Sequence, residues 1–440
     1  MVKIPKREFE RRRKELMAHL AAQSIVIVPS AELQLRNRDV EYPFRQDSDF
    51  FYLSGFDEPD AVLVLVPGRE QGQSILFCRE RDVEKELWHG RRAGTEGACE
   101  EYGFDDAFPI TDIDDILPGL IEGRQRVYYA MGKMPVFDRR LMNWVNTIRA
   151  KTRSGAHPPG EFVDLDHLLH EMRLIKRSAE IKVMRRAAEI SAQAHIRAMR
   201  ACRVGCYEYQ LEAELMHEFQ HSGCHSWAYP SIVGGGDNAC VLHYTSNNER
   251  LRDGDLVLID AGCELHYYAS DITRTFPVNG CFSKPQRQLY EVCLAAQAAA
   301  IDAIRPGVSW DEPHAAAVRV ITEGLVALGL LRGQVARLID KAAYQRFYMH
   351  RTGHWLGMDV HDVGEYKVGD QWRLLEPGMV LTVEPGIYVS PSDHKVAAKW
   401  RGIGIRIEDD VVVTEHGCEV LSNDVPKEID QIEALMAESG

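Results

Sequence analysis

The chain has 440 residues, more than one hydrophobic core normally serves, so two domains are expected. Hydrophobic residues make up 45% and charged residues 27%, which is ordinary for a soluble globular protein and excludes a fibrous or disordered chain. A formal net charge of -14 argues against nucleic acid and anionic membrane as partners, because both select basic surfaces.

The first stretch, Met1 to Glu15, is charged and has no apolar signal core. Glu8, Glu10 and Glu15 disfavour an organellar transit peptide, and no run approaches membrane-spanning length, so an exposed first helix and a cytoplasmic location are expected. Residues 1 to 172 alternate apolar strand runs (Ser24 to Pro29, Ala61 to Val66, Ser74 to Phe77, Arg126 to Tyr129) with helical segments, an α/β pattern. Lys151 to Gly160, rich in Ser, Gly and Pro, reads as a loop before a linking helix. The second domain, 173 to 440, opens with a long helix from a Ser178 cap through Ile181, Met184, Ala188 and Ile190 to about Cys202, apolar at helical spacing. Ten cysteines with no C-x-x-C pair read as free thiols in a reducing compartment.

Inside the second domain a faint repeat appears. Arg203-Val-Gly205 followed by Tyr207-Glu208 has a counterpart in Arg305-Pro-Gly307 followed by Trp310-Asp311, and 305 − 203 = 102. Each follows a helix and precedes another, and each helix pair leads into a strand-rich segment. This predicts a duplicated unit of two helices and a hairpin enclosing a shared cleft.

The strand-rich segments carry the chemistry. Leu256 to Asp260 is a buried strand run that closes at Gly262, and Tyr267 to Phe276 alternates so that Asp271, Thr273 and Thr275 share one face. A turn between Gly262 and His266 would set Asp260 beside Asp271. Met379 to Glu384 is apolar and β-branched up to its glutamate, then stops at Pro385-Gly386. In Ile403 to Glu408 the isoleucines point one way, while Gly404, Arg406 and Glu408 point the other, which would put Arg406 where it can orient or offset Glu408. Between these runs lies His350-Arg-Thr-Gly-His354-Trp-Leu-Gly-Met-Asp-Val-His361, three histidines with two glycines among them. Singly, an acidic residue at a strand end is a common turn former. Together, Asp260, Asp271, His354, Glu384 and Glu408 supply four carboxylates and one imidazole, the donor set for two adjacent divalent cations. Hard oxygen donors with one nitrogen suit Mn2+, or Co2+ or Fe2+, and four negative charges offset two M2+ ions. Such a pair would share a water, lower its pKa and polarise a carbonyl.

These segments, Leu258-Ile-Asp260-Ala-Gly262, Ser270-Asp271-Ile-Thr-Arg-Thr275, Gly353-His354-Trp-Leu-Gly357 with His361, Thr382-Val-Glu384-Pro-Gly386 and Gly404-Ile-Arg406-Ile-Glu408-Asp409, resemble those of the pita-bread metallopeptidases, and of the aminopeptidase P (Xaa-Pro aminopeptidase) type in particular. Tyr42 to Phe56 is similar to that type as well. Arg351-Thr352 departs from the glycine that many relatives carry after His350, touching substrate detail and no ligand.

The resemblance implies an α/β N-terminal domain of the creatinase kind over 1–172 and an α+β pita-bread catalytic domain over 173–440. It implies a dinuclear metal-dependent aminopeptidase that frees the residue ahead of proline in Xaa-Pro-Yaa peptides by attack of a metal-bound hydroxide. Asp271 and Glu408 would bridge the ions, Asp260 would complete one site, and His354 with Glu384 the other. Glu384 would also shuttle the proton, while His243, His350 and His361 would donate to the tetrahedral intermediate and substrate carbonyls. Arg406 and Tyr388, with Asp39, Trp88 and Arg153 of the first domain, would contact substrate, the last three across a homo-oligomer, dimer or tetramer. The rivals are a prolidase acting on free Xaa-Pro dipeptides, a metal-free creatinase-like hydrolase, and a non-catalytic protein-binding module of the same fold.

Overall fold

In a computed structural model that describes residues 2–438, the chain forms two compact units, 4–173 and 174–438, the latter including residues 2 and 3.

The first unit is built on a six-stranded mixed sheet ordered Asp106–Pro109, Ser74–Cys78, Val62–Leu65, Ser24–Pro29, Arg126–Tyr128, Glu161–Val163. The central run Ser-Ile-Val-Ile-Val-Pro is β-branched at four consecutive positions and buried on both faces, so it pairs antiparallel to Val62–Leu65 on one side and parallel to Arg126–Tyr128 on the other. Helices Ile113–Ile121 and Pro135–Ala150 cover one face, packing Leu117, Ile121, Leu141, Trp144 and Ile148 onto Ile25, Ile27, Val64 and Val127. The strands at Asp106 and Glu161 carry too few apolar residues to stand out in the sequence.

In the second unit two antiparallel helix pairs stand out: Ser178–Ala201 with Glu208–His221, and Lys284–Asp302 with Asp311–Ala327. The first helix buries Val183, Met184, Ala187, Ala188, Ile190 and Ala194, the three-and-four spacing expected of an amphipathic helix. Ser178 is its first helical residue rather than its cap. Glu180 instead accepts the Arg177 backbone N–H at 2.9 Å, capping that free donor from within the first turn.

Each pair is joined through a left-handed glycine, Gly205 (φ 95°) and Gly307 (φ 80°). Gly205 N–H donates to Leu251 O at 2.9 Å and Gly307 N–H to Leu375 O at 2.8 Å. Leu251 N–H returns to Cys206 O and Leu375 N–H to Val308 O, both at 2.8 Å. The duplication therefore continues into the strands: Gly254 and Gly378 both have positive φ, with 378 − 254 = 124, and Asp260 and Glu384 end the next strands at the same offset, 384 − 260 = 124.

Strand Leu256–Asp260 runs between Ile232–Gly235 and Thr273–Pro277. Val380–Val383 pairs with Asp409–Thr414, and Gly386–Val389 with Ile403–Arg406. The two halves are stitched where Glu408 N–H donates to Thr273 O at 3.0 Å and Asp271 N–H donates to the Asp410 carboxylate at 3.1 Å.

Candidate metal centre

Two close backbone approaches bring the acidic strands together. A Cβ on Gly262 would stand 1.7 Å from Ser270 O, and one on Gly353 would stand 2.0 Å from Thr382 O. Gly262 thus lets the chain leaving Asp260 pass against the segment entering Asp271, with Ala261 N–H donating to Ile272 O at 3.0 Å. Gly353 lets the histidine loop lie along Val380–Val383. There Thr382 N–H donates to His354 O at 3.0 Å and Glu384 N–H to Thr352 O at 2.7 Å.

Asp260, Asp271, His354, Glu384 and Glu408 all line one cavity of about 800 Å³. Asp271, His354 and Glu408 offer donor atoms within 4.8 Å of one another. His354 Nε2 stands 3.3 Å from Asp271 Oδ2 and 3.8 Å from Glu384 Oε1, while its Nδ1 is held 2.9 Å from Trp355 O. That backbone bond places the Nδ1 proton and leaves Nε2 to face the carboxylates. His243, His350, His361 and Arg406 line the same cavity.

Arg406 offsets the Glu408 charge as expected, and its hydrogen bond to a carboxylate goes to a second one, Asp260. Its guanidinium donates to Asp260 Oδ2 at 2.6 Å, Tyr388 Oη at 2.9 Å and Thr273 Oγ1 at 3.1 Å. Glu408 carries no direct hydrogen bond from Arg406; the guanidinium acts on it as a charge that opposes its upward shift, and the hydrogen-bonded link runs through Thr273, whose hydroxyl donates to Glu408 Oε2 at 2.6 Å. Tyr388 is buried behind the cavity, where it joins Arg406 to His350 Nε2 at 2.9 Å.

The charges do not balance. Four carboxylates face the Arg406 guanidinium and the His354 imidazole, leaving negative charge in excess even with both cations present and all four ionised. Burial, with repulsion from Asp271, Glu384 and Asp260, pushes Glu408 well above the usual carboxylate range. Burial also lifts Glu384 to about 7, against the pull of His354 and Arg406. Burial raises Asp260 despite Arg406. Asp271 is held low against burial by His354 and Tyr229, and burial of His354 is outweighed by Asp271 and Glu384, which bring it to about 9. Burial and the Arg406 charge lower His350 to about 3, so its ring is neutral. Buried anions of this density are stable only when cations are supplied. The donor set of oxygens and one imidazole nitrogen fits two hard or borderline divalent ions.

Tyr229 was not foreseen. Its hydroxyl donates to Asp260 Oδ1 at 2.6 Å and also contacts Asp271 Oδ1, tying the two aspartates together. Nothing around Ala228-Tyr229-Pro230 marks it in the sequence, since a tyrosine before proline reads as loop. Asp39, Trp88 and Arg153 belong to the first unit and are all exposed, Trp88 at 77% on the short helix Val83–His89. A second acidic group, Asp49, Asp166 and His170, is answered by Lys133, at 3.1 Å from Asp49 and 3.0 Å from Asp166, and by Arg173 at 2.7 Å from Asp49. Its charges are met from within, unlike those of the cavity.

Comparison with known proteins places the chain. Residues 182–415 match the model of metallopeptidase family M24, and residues 9–128 match that of the aminopeptidase P N-terminal domain. The chain is 47% identical over 437 residues to Xaa-Pro aminopeptidase of Escherichia coli (strain K12), covering 99% of each. Among solved structures it is similar to aminopeptidase PepP of Pseudomonas aeruginosa, with 64% identity, a TM-score of 0.99, and coverage of 100% of this chain and 99% of that one. It is also similar to zinc-substituted E. coli aminopeptidase P in complex with product, with 47% identity, a TM-score of 0.97, and coverage of 100% and 99%.

Proposed function

Because the chain belongs to metallopeptidase family M24 and carries the aminopeptidase P N-terminal domain, we propose a role for each side chain of the cleft in a known type of reaction. The protein is a dinuclear metal-dependent aminopeptidase that releases the N-terminal residue from peptides with proline in second position. The observation that carries this is the convergence of four carboxylates and one imidazole, with negative charge in excess, on one cavity.

Asp260, Asp271, His354, Glu384 and Glu408 would hold two divalent ions; manganese suits the oxygen-rich donors best. Bound ions supply Lewis acidity and lower the pKa of a water in the cleft. The remaining work belongs to the protein. Glu384 takes the proton of the attacking water and delivers it to the proline nitrogen, which leaves as a secondary amine. Its neighbour His350, Nδ1 3.8 Å from Glu384 Oε2, has a neutral ring whose Nδ1–H is held by Arg351 O at 2.7 Å, and this donor would pass to a substrate carbonyl on binding. His361, whose ring centre is 4.3 Å from that of His354, and His243 donate to the oxygen of the tetrahedral intermediate. Arg406 and Tyr388 hold Asp260 and His350 in register from behind.

Proline specificity has a physical basis. The Xaa-Pro bond lacks an N–H and stiffens the residue before it, so a peptidase gripping an extended backbone by that N–H fails, and recognition passes to ring shape. Residues 1–172 form the N-terminal domain and 173–440 the catalytic one. In a cytoplasmic homo-oligomer, dimer or tetramer, exposed Asp39, Trp88 and Arg153 would reach a neighbouring subunit's cleft and exclude folded substrates.

Metal analysis of the purified protein, with cleavage of Xaa-Pro-Yaa and Xaa-Pro compared side by side, tests this reading. About two ions per chain and faster tripeptide cleavage are expected. Strict dipeptide preference would make the protein a prolidase, and full activity after chelation would end the metal assignment.

A further inference from the structure

Beyond His350 the cavity wall becomes aromatic and its rim becomes cationic. Trp310, Tyr366 and Trp372 line it together with Arg351. Trp372 sits in the two-stranded ribbon Lys367–Val368 and Gln371–Trp372, where Lys367 is its cross-strand partner. Lys367 Nζ lies 4.4 Å from the centre of the Trp372 ring, and Arg351 Cζ lies 4.9 Å from it. One indole therefore gathers two cations, Arg351 from the cavity lining and Lys367 from the ribbon beside it. Both cationic side chains are exposed. Arg351 is partly answered by Asp311 at 2.5 Å, while Lys367 makes no ion pair among the described residues. None of the five proposed metal ligands lies on this ribbon.

We propose that Arg351 and Lys367, presented on Trp372, form a carboxylate-binding site for the third residue of the peptide, and so bias the enzyme toward substrates carrying a negative charge there. This rests on the peptidase reading above. An aminopeptidase substrate carries its free ammonium next to the scissile bond, and two cations would repel it, so this rim faces the other end of the peptide. Arg351 is the chain neighbour of His350, which stands 3.8 Å from Glu384. The third residue lies two positions past the scissile carbonyl, roughly 7 Å along an extended chain. Two carboxylates can occur there: the C-terminus of a tripeptide, or an aspartate or glutamate side chain in a longer one.

The test compares kcat/KM for Xaa-Pro-Ala with its C-terminal amide, and for Xaa-Pro-Glu-amide with Xaa-Pro-Gln-amide, in the wild type, in Lys367→Gln and in the double variant Arg351→Gln/Lys367→Gln. The wild type is expected to favour the charged member of a pair by about five- to tenfold, mainly through KM and less so at high salt. That ratio falls part way in the single variant and to about one in the double variant. A collapsing acid-to-amide ratio assigns the terminal carboxylate, and a collapsing Glu-to-Gln ratio assigns the side chain. Ratios near one in the wild type, or ratios that the double variant leaves intact, would overturn the site while leaving the peptidase reading untouched. Failure to cleave any of the four peptides would instead remove that reading and this one together.

Discussion

Replacing Arg406 by methionine tests whether Asp260 relies on this single internal cation until metal arrives. The two groups meet at 2.6 Å and are almost shielded from solvent, Arg406 at 4% and Asp260 at 9% exposure. Removing one partner of a buried pair costs about 3–5 kcal/mol, because the other charge is left uncompensated. The metal-free variant should lose about that much stability. With saturating divalent metal, Asp260 regains a cationic partner. The remaining loss then falls to the contacts with the Thr273 and Tyr388 hydroxyls, about 1–3 kcal/mol. Guanidinium unfolding followed by tryptophan fluorescence, in chelator and in manganese, measures both values. An equal loss in the two conditions would refute the argument, since it would mean that metal and guanidinium do not share Asp260.

Asp271→Asn and Glu408→Gln should each abolish turnover with little change in far-UV circular dichroism, and wild-type-like rates in either would show that the metal centre lies elsewhere. His361→Ala should lower kcat by about 10²–10³-fold with metal occupancy retained, as for a lost donor to the tetrahedral intermediate; metal analysis finding the loss in occupancy would contradict that role. In the metal-free protein Glu384 (about 7 against 4.5) and His354 (about 9 against 6.5) hold protons that the unfolded chain has released. Such raised values contribute stability present below the unfolded pKa and lost as pH rises through the folded one, so Tm should fall between pH 6.5 and 9, above the range in which the lowered His350 acts in the opposite direction. A flat or rising calorimetric profile in chelator would exclude this. Gly262→Ala, whose methyl would meet Ser270 O, should cost at least about 2–3 kcal/mol and weaken metal binding, and an unperturbed variant would show that the close approach is dispensable.

The donor residues were legible because burying a carboxylate on an apolar strand is costly, so Asp260 and Glu384 at the ends of Leu256–Asp260 and Val380–Val383 pointed to a compensating ligand. The long helix at Ser178 was legible from its spacing, whereas its cap was misassigned because a helical first residue and a capping residue look alike when Glu180 follows. The charge of Arg406 near Glu408 was legible from their two-residue spacing, whereas its hydrogen bond to Asp260 spans 146 residues and has no marker in the sequence. Tyr229 was invisible for a related reason: its contact with Asp260 and Asp271 spans 31 and 42 residues and depends wholly on tertiary placement.

The matched offset of Asp260 and Glu384 has a mechanical consequence. Asp260 and Asp271 hang from the first copy and His354, Glu384 and Glu408 from the second, so each captured ion would act as a rivet across the line where the copies meet. A circular permutant opened in the 278–283 loop between them, with the original ends rejoined, would keep both copies intact. Its survival would then depend on that rivet far more than the parent does.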